Sequence, residues 1–468
     1  MRTIGFLRSC WATSAIGLLG ALATATGLAG GQEVLVVPGP PEFAILADEP
    51  TTTPPPEPKP SEARPSFGKD ATKIEVTDAP LFGVTGDWFG GRESLLDIGI
   101  DVRPKFTQFY QGVASGGLRQ GFRYGLKFDY FATVEAEKLV GWKGLFINLH
   151  GESRFGQSVN RDVGSLSGAN FALEFPQSTG AASALTALQI DQFVGSDFII
   201  TFGKLNAQAG INMHPFIGGN GIDRFMNEGF VFNPIFGRTY PYSTPGAGFQ
   251  YLRDGETVFV FQVLDSSGRP DTSGLRQMFR NGASLFAQAR VPMRPYDLPG
   301  HVSLDGAYTS GKFSVLSEDD FVILPTVPVM PEARRNSWVT NLSFDQFLVM
   351  EDESSSKGWG VFGNIGIADQ YTNPVYWNLY FGAGGMSPIP GRSDDAFGVG
   401  YYYLGVSDHL QEILRPYFPV RDEQIFEFYY NAKVAKDFTL GTNIQVIDPA
   451  QLDAQPAILF GLRAKIDF

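Results

Sequence analysis

The chain contains a single cysteine, Cys10, close to its N-terminus. The rest of the sequence therefore has no cysteine pair for a disulfide, no set of thiolates for a metal site and no cysteine nucleophile. Histidine is also scarce, with four in 468 residues. Because no His, Asp and Glu residues stand together at metal-ligand spacing, we expect neither a metal nor a cofactor.

Long apolar runs are missing after residue 30, so this part of the chain offers no candidate for a membrane-spanning helix. Basic residues are outnumbered 36 to 49, which gives a formal charge of −13. An acidic chain without Lys- and Arg-rich patches is a poor match for nucleic acid, whose phosphates require basic partners. We expect no nucleic-acid partner.

Residues 1–31 have the features of a cleaved secretory signal peptide. Arg2 and Arg8 supply positive charge, an apolar stretch runs from Trp11 to about Leu28, and small residues precede the expected cleavage before Gln32. An uncleaved membrane anchor is the alternative, but the Thr- and Gly-rich stretch is only weakly apolar. We therefore expect export from the cytoplasm.

Residues 32–80 are rich in proline, and residues 51–60 read TTTPPPEPKP. Such a segment buries too little apolar surface to fold and is stiffened toward polyproline II. We interpret it as a disordered periplasmic spacer. A contact with the cell wall or with a partner is the alternative.

Residues 81–468 show an alternating pattern that is typical of β-strands. Glycine (55), phenylalanine (40) and tyrosine (17) are abundant in the chain, which suits pleated strands joined by tight turns. In segment 123–135 apolar and polar side chains take opposite faces. The apolar face carries Tyr124, Leu126, Phe128, Tyr130, Ala132 and Val134, and the other face carries Arg123, Gly125, Lys127, Asp129, Phe131, Thr133 and Glu135.

Sixteen such segments can be counted, which predicts an all-β fold, a transmembrane antiparallel β-barrel of about 16 strands. The predicted strands are 100–113, 121–136, 144–154, 184–194, 197–205, 246–254, 256–265, 283–291, 300–310, 337–350, 358–370, 375–386, 395–406, 423–435, 437–447 and 456–468. Tight connections alternate with mostly longer ones, as expected for periplasmic turns and external loops. An even count places both ends of the barrel in the periplasm, and we expect Phe468 to be read by the barrel assembly machinery.

A soluble β-sandwich would also alternate, and two features argue against it. Aromatic residues such as Trp338, Trp359 and Tyr430 fall near the ends of predicted strands, where a membrane-interface girdle would place them. The opposite faces carry isolated charges of both signs, as a water-filled lumen would. The sequence therefore favours the bacterial outer membrane, with its lipid as one partner.

The longest connection, residues 206–245, is the candidate for narrowing the channel. It contains several apolar side chains that an exposed loop rarely carries, among them Phe216, Phe225, Met226, Phe230, Phe232 and Phe236. An inward-folded loop would bury them and would present Asp223, Arg224, Asn227 and Glu228 to the channel. Packing over the barrel mouth, or against a neighbouring subunit of a homo-oligomer, is the alternative.

The inner wall supplies a second set of candidates. Sugar hydroxyls are bound by carboxylate, amide and guanidinium groups, and sugar rings stack on aromatic side chains. The predicted pore-lining residues are Arg123, Lys127, Asp129, Asn148, His150, Glu152 and Arg154. The alternative is that these side chains pair with one another and merely keep the lumen wet.

Several landmarks resemble the carbohydrate-selective porins of the OprB type. They are Gly86-Asp87-Trp88-Phe89-Gly90-Gly91-Arg92, then Val113 to Gly121 (VASGGLRQG), Lys138 to Gly144 (KLVGWKG) and Asp223 to Phe230 (DRFMNEGF). The resemblance implies a sixteen-stranded porin that passes small sugars by facilitated diffusion, with charged and aromatic residues at its constriction. It covers residues 81–468 and leaves the sugar unspecified.

Three other functions compete with this interpretation. A general or ion-selective porin would have the same fold with different charges at the constriction. A barrel enzyme would need a nucleophile beside a histidine, but His150 and Ser153 fall on opposite faces of one strand, so we expect no enzyme. The barrel could also serve only as an anchor, with the Pro-rich segment tethering the envelope.

Overall fold

The computed structural model describes residues 85–177, 181–314, 323–324, 327–328, 333–352, 357–417 and 419–468. The predicted signal peptide and Pro-rich spacer lie outside these residues. Within them, no helix is long and apolar enough to span a membrane.

Sixteen antiparallel strands form a closed barrel in which consecutive barrel strands pair, β9 with β12 included, and the last pairs with the first. These strands are β1 (Ile100–Gly117), β2 (Gly121–Glu135), β3 (Leu145–Gly156), β4 (Ala182–Val194), β5 (Phe198–Asn206), β6 (Ser243–Arg253), β7 (Glu256–Asp265), β8 (Ala283–Met293), β9 (Gly300–Ser314), β12 (Ala333–Asp352), β13 (Lys357–Ala368), β14 (Val375–Met386), β15 (Ala396–Val406), β16 (Glu423–Ala435), β17 (Phe438–Asp448) and β18 (Gln455–Asp467). A separate hairpin joins β10 (Ile323–Leu324) and β11 (Val327–Pro328).

Short helices occupy some of the connections. The α-helices are Gly91–Asp97, Ala136–Val140, Asn160–Val163, Gln208–Ile211, Glu228–Val231 and Asp408–Leu414. The 3-10 turns are Phe171–Leu173, Gly219–Gly221, Pro234–Phe236, Leu275–Gln277 and Pro295–Asp297.

All sixteen predicted strands are confirmed. The largest differences concern β1, β9 and β12, which extend beyond the predicted 100–113, 300–310 and 337–350. Asn336 adopts a positive φ of 77° within an irregularity of the ladder, after which pairing resumes as far as Ala333 and Ser314. The strand therefore continues through this local irregularity in its pairing.

The turn between β6 and β7 shows how the tight connections close. Asp254 and Gly255 are its two residues, with φ values of 52° and 83°. A two-residue hairpin turn with positive φ at both positions matches the twist of the flanking strands, and Asp-Gly is among its preferred sequences. The sequence therefore dictates this connection locally.

Side chains alternate between two environments around the barrel. On β16, Ile425, Glu427 and Tyr429 are buried on the inner face, whereas Phe426 on the outer face is 42% exposed. Large apolar side chains are similarly exposed on the outer faces of most other strands, as lipid contact requires. Two connections pack against the inner face, and we name them the short inner segment (157–177) and the long inner segment (207–242).

Candidate functional site

The long inner segment packs by its aromatic side chains on inward-facing residues. Phe225 lies 4.9 Å, ring centre to ring centre, from Tyr429 of β16, and Phe230 lies 6.0 Å from Tyr380 of β14. The apolar side chains that made this connection unusual are mostly buried, and Phe225 and Phe230 are wholly so. The segment thus lies against the inner wall of the barrel.

Two charged wall residues hold the backbone of this segment. The carboxylate of Glu427 accepts hydrogen bonds from the backbone N–H groups of Met226 (2.6 Å) and Asn227 (3.0 Å). The guanidinium of Arg463 on β18 donates to the carbonyl of Arg224 (2.8 Å). Both wall residues are buried, so these charge-assisted bonds fix the segment firmly.

Asn227 does not face the channel, and its prediction as a channel-facing residue is wrong. Its side chain is wholly buried and caps the short helix Glu228–Val231, where Oδ1 accepts from the backbone N–H of Gly229 (2.9 Å). Its Nδ2 donates to Gln445 of β17 (3.2 Å). Asn227 is therefore a positioning residue of the segment.

Glu228 joins the long inner segment to the short one. Its carboxyl accepts from the backbone N–H of Gly168 at 3.0 Å. Burial, together with the nearby carboxyls of Glu174 and Glu423, raises the pKa of Glu228 to about 8 against the opposing effect of the Gly168 N–H. At neutral pH the group is therefore largely protonated.

Asp223 is held between two lysines that project from the inner wall. Its carboxylate lies 3.2 Å from Lys105 Nζ of β1 and 2.6 Å from Lys465 Nζ of β18. Burial alone would raise the pKa of Asp223, but the two ammonium groups outweigh it and hold the pKa well below its usual range. The three side chains are partly exposed, with Asp223 at 29%.

Arg224 braces the segment from within. One guanidinium nitrogen, Nη1, donates to the carbonyl of His214 at 2.6 Å and also to the carbonyl of Ile217. The side chain is partly exposed, so it combines this bracing with access to water.

The predicted pore-lining residues of β2 and β3 face inward, but three of them are not open to the lumen. Lys127, Asp129 and Glu152 are at most 1% exposed, and Lys127 Nζ lies 2.7 Å from Glu152. Lys127 also donates to the carbonyl of Phe175 (3.3 Å), and the hydroxyl of Tyr242 donates to Glu152 (2.8 Å). Both inner segments cover this cluster, so its prediction as channel surface is wrong.

His150 and Arg154 are also buried, and this too corrects the prediction. His150 Nε2 lies 2.8 Å from Asp129 Oδ1, and the histidine is 7% exposed. Arg154 donates through Nε to the carbonyl of Pro176 at 2.8 Å and is 9% exposed. The alternating pattern predicted that both side chains face inward, but it could not show that tertiary contacts bury them.

Arg123 and Asn148 keep partial exposure on the inner face. Arg123 donates through Nε to Asp162 of the short inner segment at 2.8 Å. Asn148 donates through Nδ2 to Asp191 of β4 at 2.9 Å. The predicted wall residues thus do not line one open site. Four of them form one buried network, Lys127, Asp129, His150 and Glu152, and the other three have separate partners.

Asp129, His150 and Glu152 come close enough together for one metal ion, with ligand atoms within 4.8 Å of one another. The ammonium group of Lys127 already lies 2.7 Å from Glu152 and 4.0 Å from Asp129. A second cation there would be repelled at short range, so these residues fit an internal ion-pair network better than a metal site.

Sequence reasoning missed a charged cluster on the wall formed by β8, β9 and β12. Arg290 Nη2 and Asp345 Oδ1 each lie 2.8 Å from His301 Nδ1. His214 of the long inner segment lies 4.0 Å from Asp345, and burial lowers the pKa of His214 to about 3 although Asp345 opposes this. The alternation shows that these three side chains face inward. It cannot show that charged residues of three different strands lie close together.

The family comparison decides the class of protein. The profile described as carbohydrate-selective porin, OprB family, matches residues 119–468. The chain belongs to the OprB family of carbohydrate-selective porins. Members of this family and fold are channels, not enzymes, which places the chain in the bacterial outer membrane as a multi-stranded β-barrel.

Solved structures agree on the fold. The high-pH structure of Pseudomonas putida OprB is 20% identical, with a TM-score of 0.69, over 84% of this chain and 100% of that one. The low-pH structure of the same protein is 17% identical, with a TM-score of 0.52, over 82% and 98%. No curated protein matches the chain in the direct sequence comparison.

Proposed function

We propose that this porin passes small sugars by facilitated diffusion through a channel that the long inner segment narrows. The observation that carries the proposal is the group of Asp223, Lys105 and Lys465, which brings a carboxylate and two ammonium groups to a partly exposed position inside the barrel. The family membership supports carbohydrate as the class of solute.

The chemistry of this group suits neutral, polyhydroxylated solutes. A carboxylate accepts hydrogen bonds from hydroxyl hydrogens, and an ammonium group donates to hydroxyl oxygens. Charges of both signs stand close together here and again at Arg290 and Asp345, so neither cations nor anions gain a large advantage. A neutral solute can exchange its hydration water for hydrogen bonds to these groups, and it carries no net charge across the channel.

Single-channel conductance in a planar bilayer, titrated with mono- and disaccharides, tests the proposal. We expect one sugar to block the ion current in a saturable way. Asp223→Asn should weaken this block several-fold because it removes the carboxylate that both lysines share. Asp254→Asn is the matched control, since Asp254 is 95% exposed in the short β6–β7 turn.

The other outcomes separate the alternatives. A conductance that no sugar affects would contradict sugar binding and point to a general or ion-selective porin. A folded barrel without conductance would contradict the channel itself and leave the role of an envelope anchor.

A further inference from the structure

A group of partly exposed aromatic side chains lies on the inner wall, apart from the charged groups described above. Phe286 of β8 faces inward, and the long inner segment adds Phe236 and Tyr240. The ring of Tyr240 stands nearly perpendicular to that of Phe286, with centres 4.9 Å apart, and Phe236 lies 6.4 Å from Phe286. The three rings form one continuous apolar surface.

An oriented amide group borders these rings. Gln262 of β7 is the cross-strand partner of Phe286, so both side chains lie on the same face. The hydroxyl of Tyr240 donates to Gln262 Oε1 at 2.6 Å. This bond fixes the orientation of the amide and leaves Nε2 as its donor.

The position of the rings along the channel follows from the strand direction. Phe286 is the fourth residue of β8, which begins after the long connection 266–282, and long connections face the outside. Arg290 lies four residues further toward the periplasm, about 13 Å along the strand at its usual rise. A solute entering from outside therefore meets the rings before the charged cluster.

Aromatic carbon that remains partly open to a water-filled lumen is unfavourable unless an apolar surface covers it at times. A pyranose ring offers such a surface on its C–H face, together with hydroxyl groups on its edge. We propose that Phe236, Tyr240, Phe286 and Gln262 form a sugar-binding subsite in the outer half of the channel. The rings stack on the C–H face of a pyranose, and Gln262 Nε2 donates to a hydroxyl oxygen.

This subsite rests on the proposed sugar-transport function, and the experiment separates the two. Glucose is added on the outer side of a single channel in a planar bilayer, and the concentration for half-block is measured. An acyclic hexitol, which has hydroxyl groups but no ring face, is the comparator. Heat-modifiable migration in gels establishes that each variant has formed its barrel.

Phe286→Leu keeps an apolar side chain but removes the flat ring. Its matched control is Phe261→Leu, which changes the same residue type on β7, next to Gln262, on the opposite, outward face. We expect Phe286→Leu to raise the half-blocking concentration of glucose about 3- to 10-fold, the range of one aromatic contact. The half-blocking concentration of glucose in Phe261→Leu should change less than about twofold by the same scale. The half-blocking concentration of the hexitol in Phe286→Leu should also change less than about twofold.

Phe236→Leu, which alters no barrel strand, provides the same test if Phe286→Leu fails to assemble. An unchanged glucose block in both ring variants would overturn the subsite while leaving sugar transport standing. An equal change for glucose and hexitol would also overturn it, because the rings would then only fix the segment. A wild-type channel that no sugar blocks would refute the proposed function and the subsite together.

Discussion

Asp223 carries its negative charge between two ammonium groups inside the barrel. Asp223→Asn removes the carboxylate that Lys105 and Lys465 share and leaves Lys465 only Asp467, 3.3 Å away, so we expect the channel to shift toward anions. The reversal potential in a KCl gradient measures this shift, and Asp254→Asn serves as the control. Since the pKa of Asp223 lies well below its usual range, wild-type selectivity should stay constant from about pH 5 to pH 8.

A selectivity that Asp223→Asn leaves unchanged would show that ions do not pass near this carboxylate. A wild-type shift between pH 5 and pH 8 would show that another group sets the selectivity.

Glu228 gives the contact between the two inner segments a dependence on pH. A raised pKa means that the folded state holds the proton more tightly, so this stability is complete below the ordinary pKa of 4.5 and is lost as pH rises through about 8. We expect wild-type protein to unfold at a lower temperature at pH 9 than at pH 6. Glu228→Gln, which cannot ionise, should gain about 1–3 kcal/mol over wild type at pH 9.

Thermal unfolding in detergent at both pH values provides the measurement. The control is Glu93→Gln, because Glu93 lies exposed on the helix Gly91–Asp97. If the unfolding temperature of Glu228→Gln falls between pH 6 and pH 9 as much as that of wild type, the pH dependence does not arise from this carboxyl.

At the level of single residues, the sequence predicts which way a side chain points better than it predicts what the side chain contacts. The alternation correctly turned Lys127, Asp129 and Glu152 toward the inside. It could not show that Tyr242 and Phe175, distant in sequence, cover them, because tertiary contacts leave no local pattern. Asn227 illustrates the same limit, since its capping role depends on a helix of only four residues.

The long inner segment is the element whose position decides the width of the channel. Glu427→Ala leaves the buried N–H groups of Met226 and Asn227 without their acceptor, at a cost of about 1–3 kcal/mol each. We expect the segment to loosen while the barrel remains closed. The open-channel current should become noisier and its mean should rise.

Glu427→Gln retains one acceptor oxygen and should lie between the alanine variant and wild type. Phe428→Ala changes the neighbouring, outward-facing position of β16 and should leave the current quiet. A quiet current of wild-type size in Glu427→Ala would show that this carboxylate does not hold the segment.

Elements of regular structure were largely predictable from the sequence. Each strand needs only its own alternation and its own turn residues, such as Asp254 and Gly255, to be recognised. The inner segments have no repeating pattern, and their path depends on where Glu427 and Arg463 happen to lie. Length and apolar content identified the long segment, but its individual contacts required the structure.

On the scale of the whole molecule, pairing of β1 with β18 closes the sheet and leaves no open edge within the membrane. The closed ladder involves only residues 100–467, so we expect deletion of residues 32–80 to leave barrel assembly and conductance unchanged. Conductance of the purified deletion variant, compared with that of the full chain, measures this.

Scoring envelope integrity separately from solute uptake extends this comparison to cells. Weakened envelopes with normal uptake would assign a tethering role to the Pro-rich segment. Lost conductance in the purified deletion variant would contradict the independence of the barrel.

The central claim is that the channel passes sugars, and osmotic swelling of liposomes containing the purified protein tests it most directly. In isosmotic hexose we expect rapid swelling, slower swelling with disaccharides, and slower hexose entry in Asp223→Asn than in Asp254→Asn. Swelling no faster than in protein-free liposomes, from a barrel that conducts ions, would contradict the account.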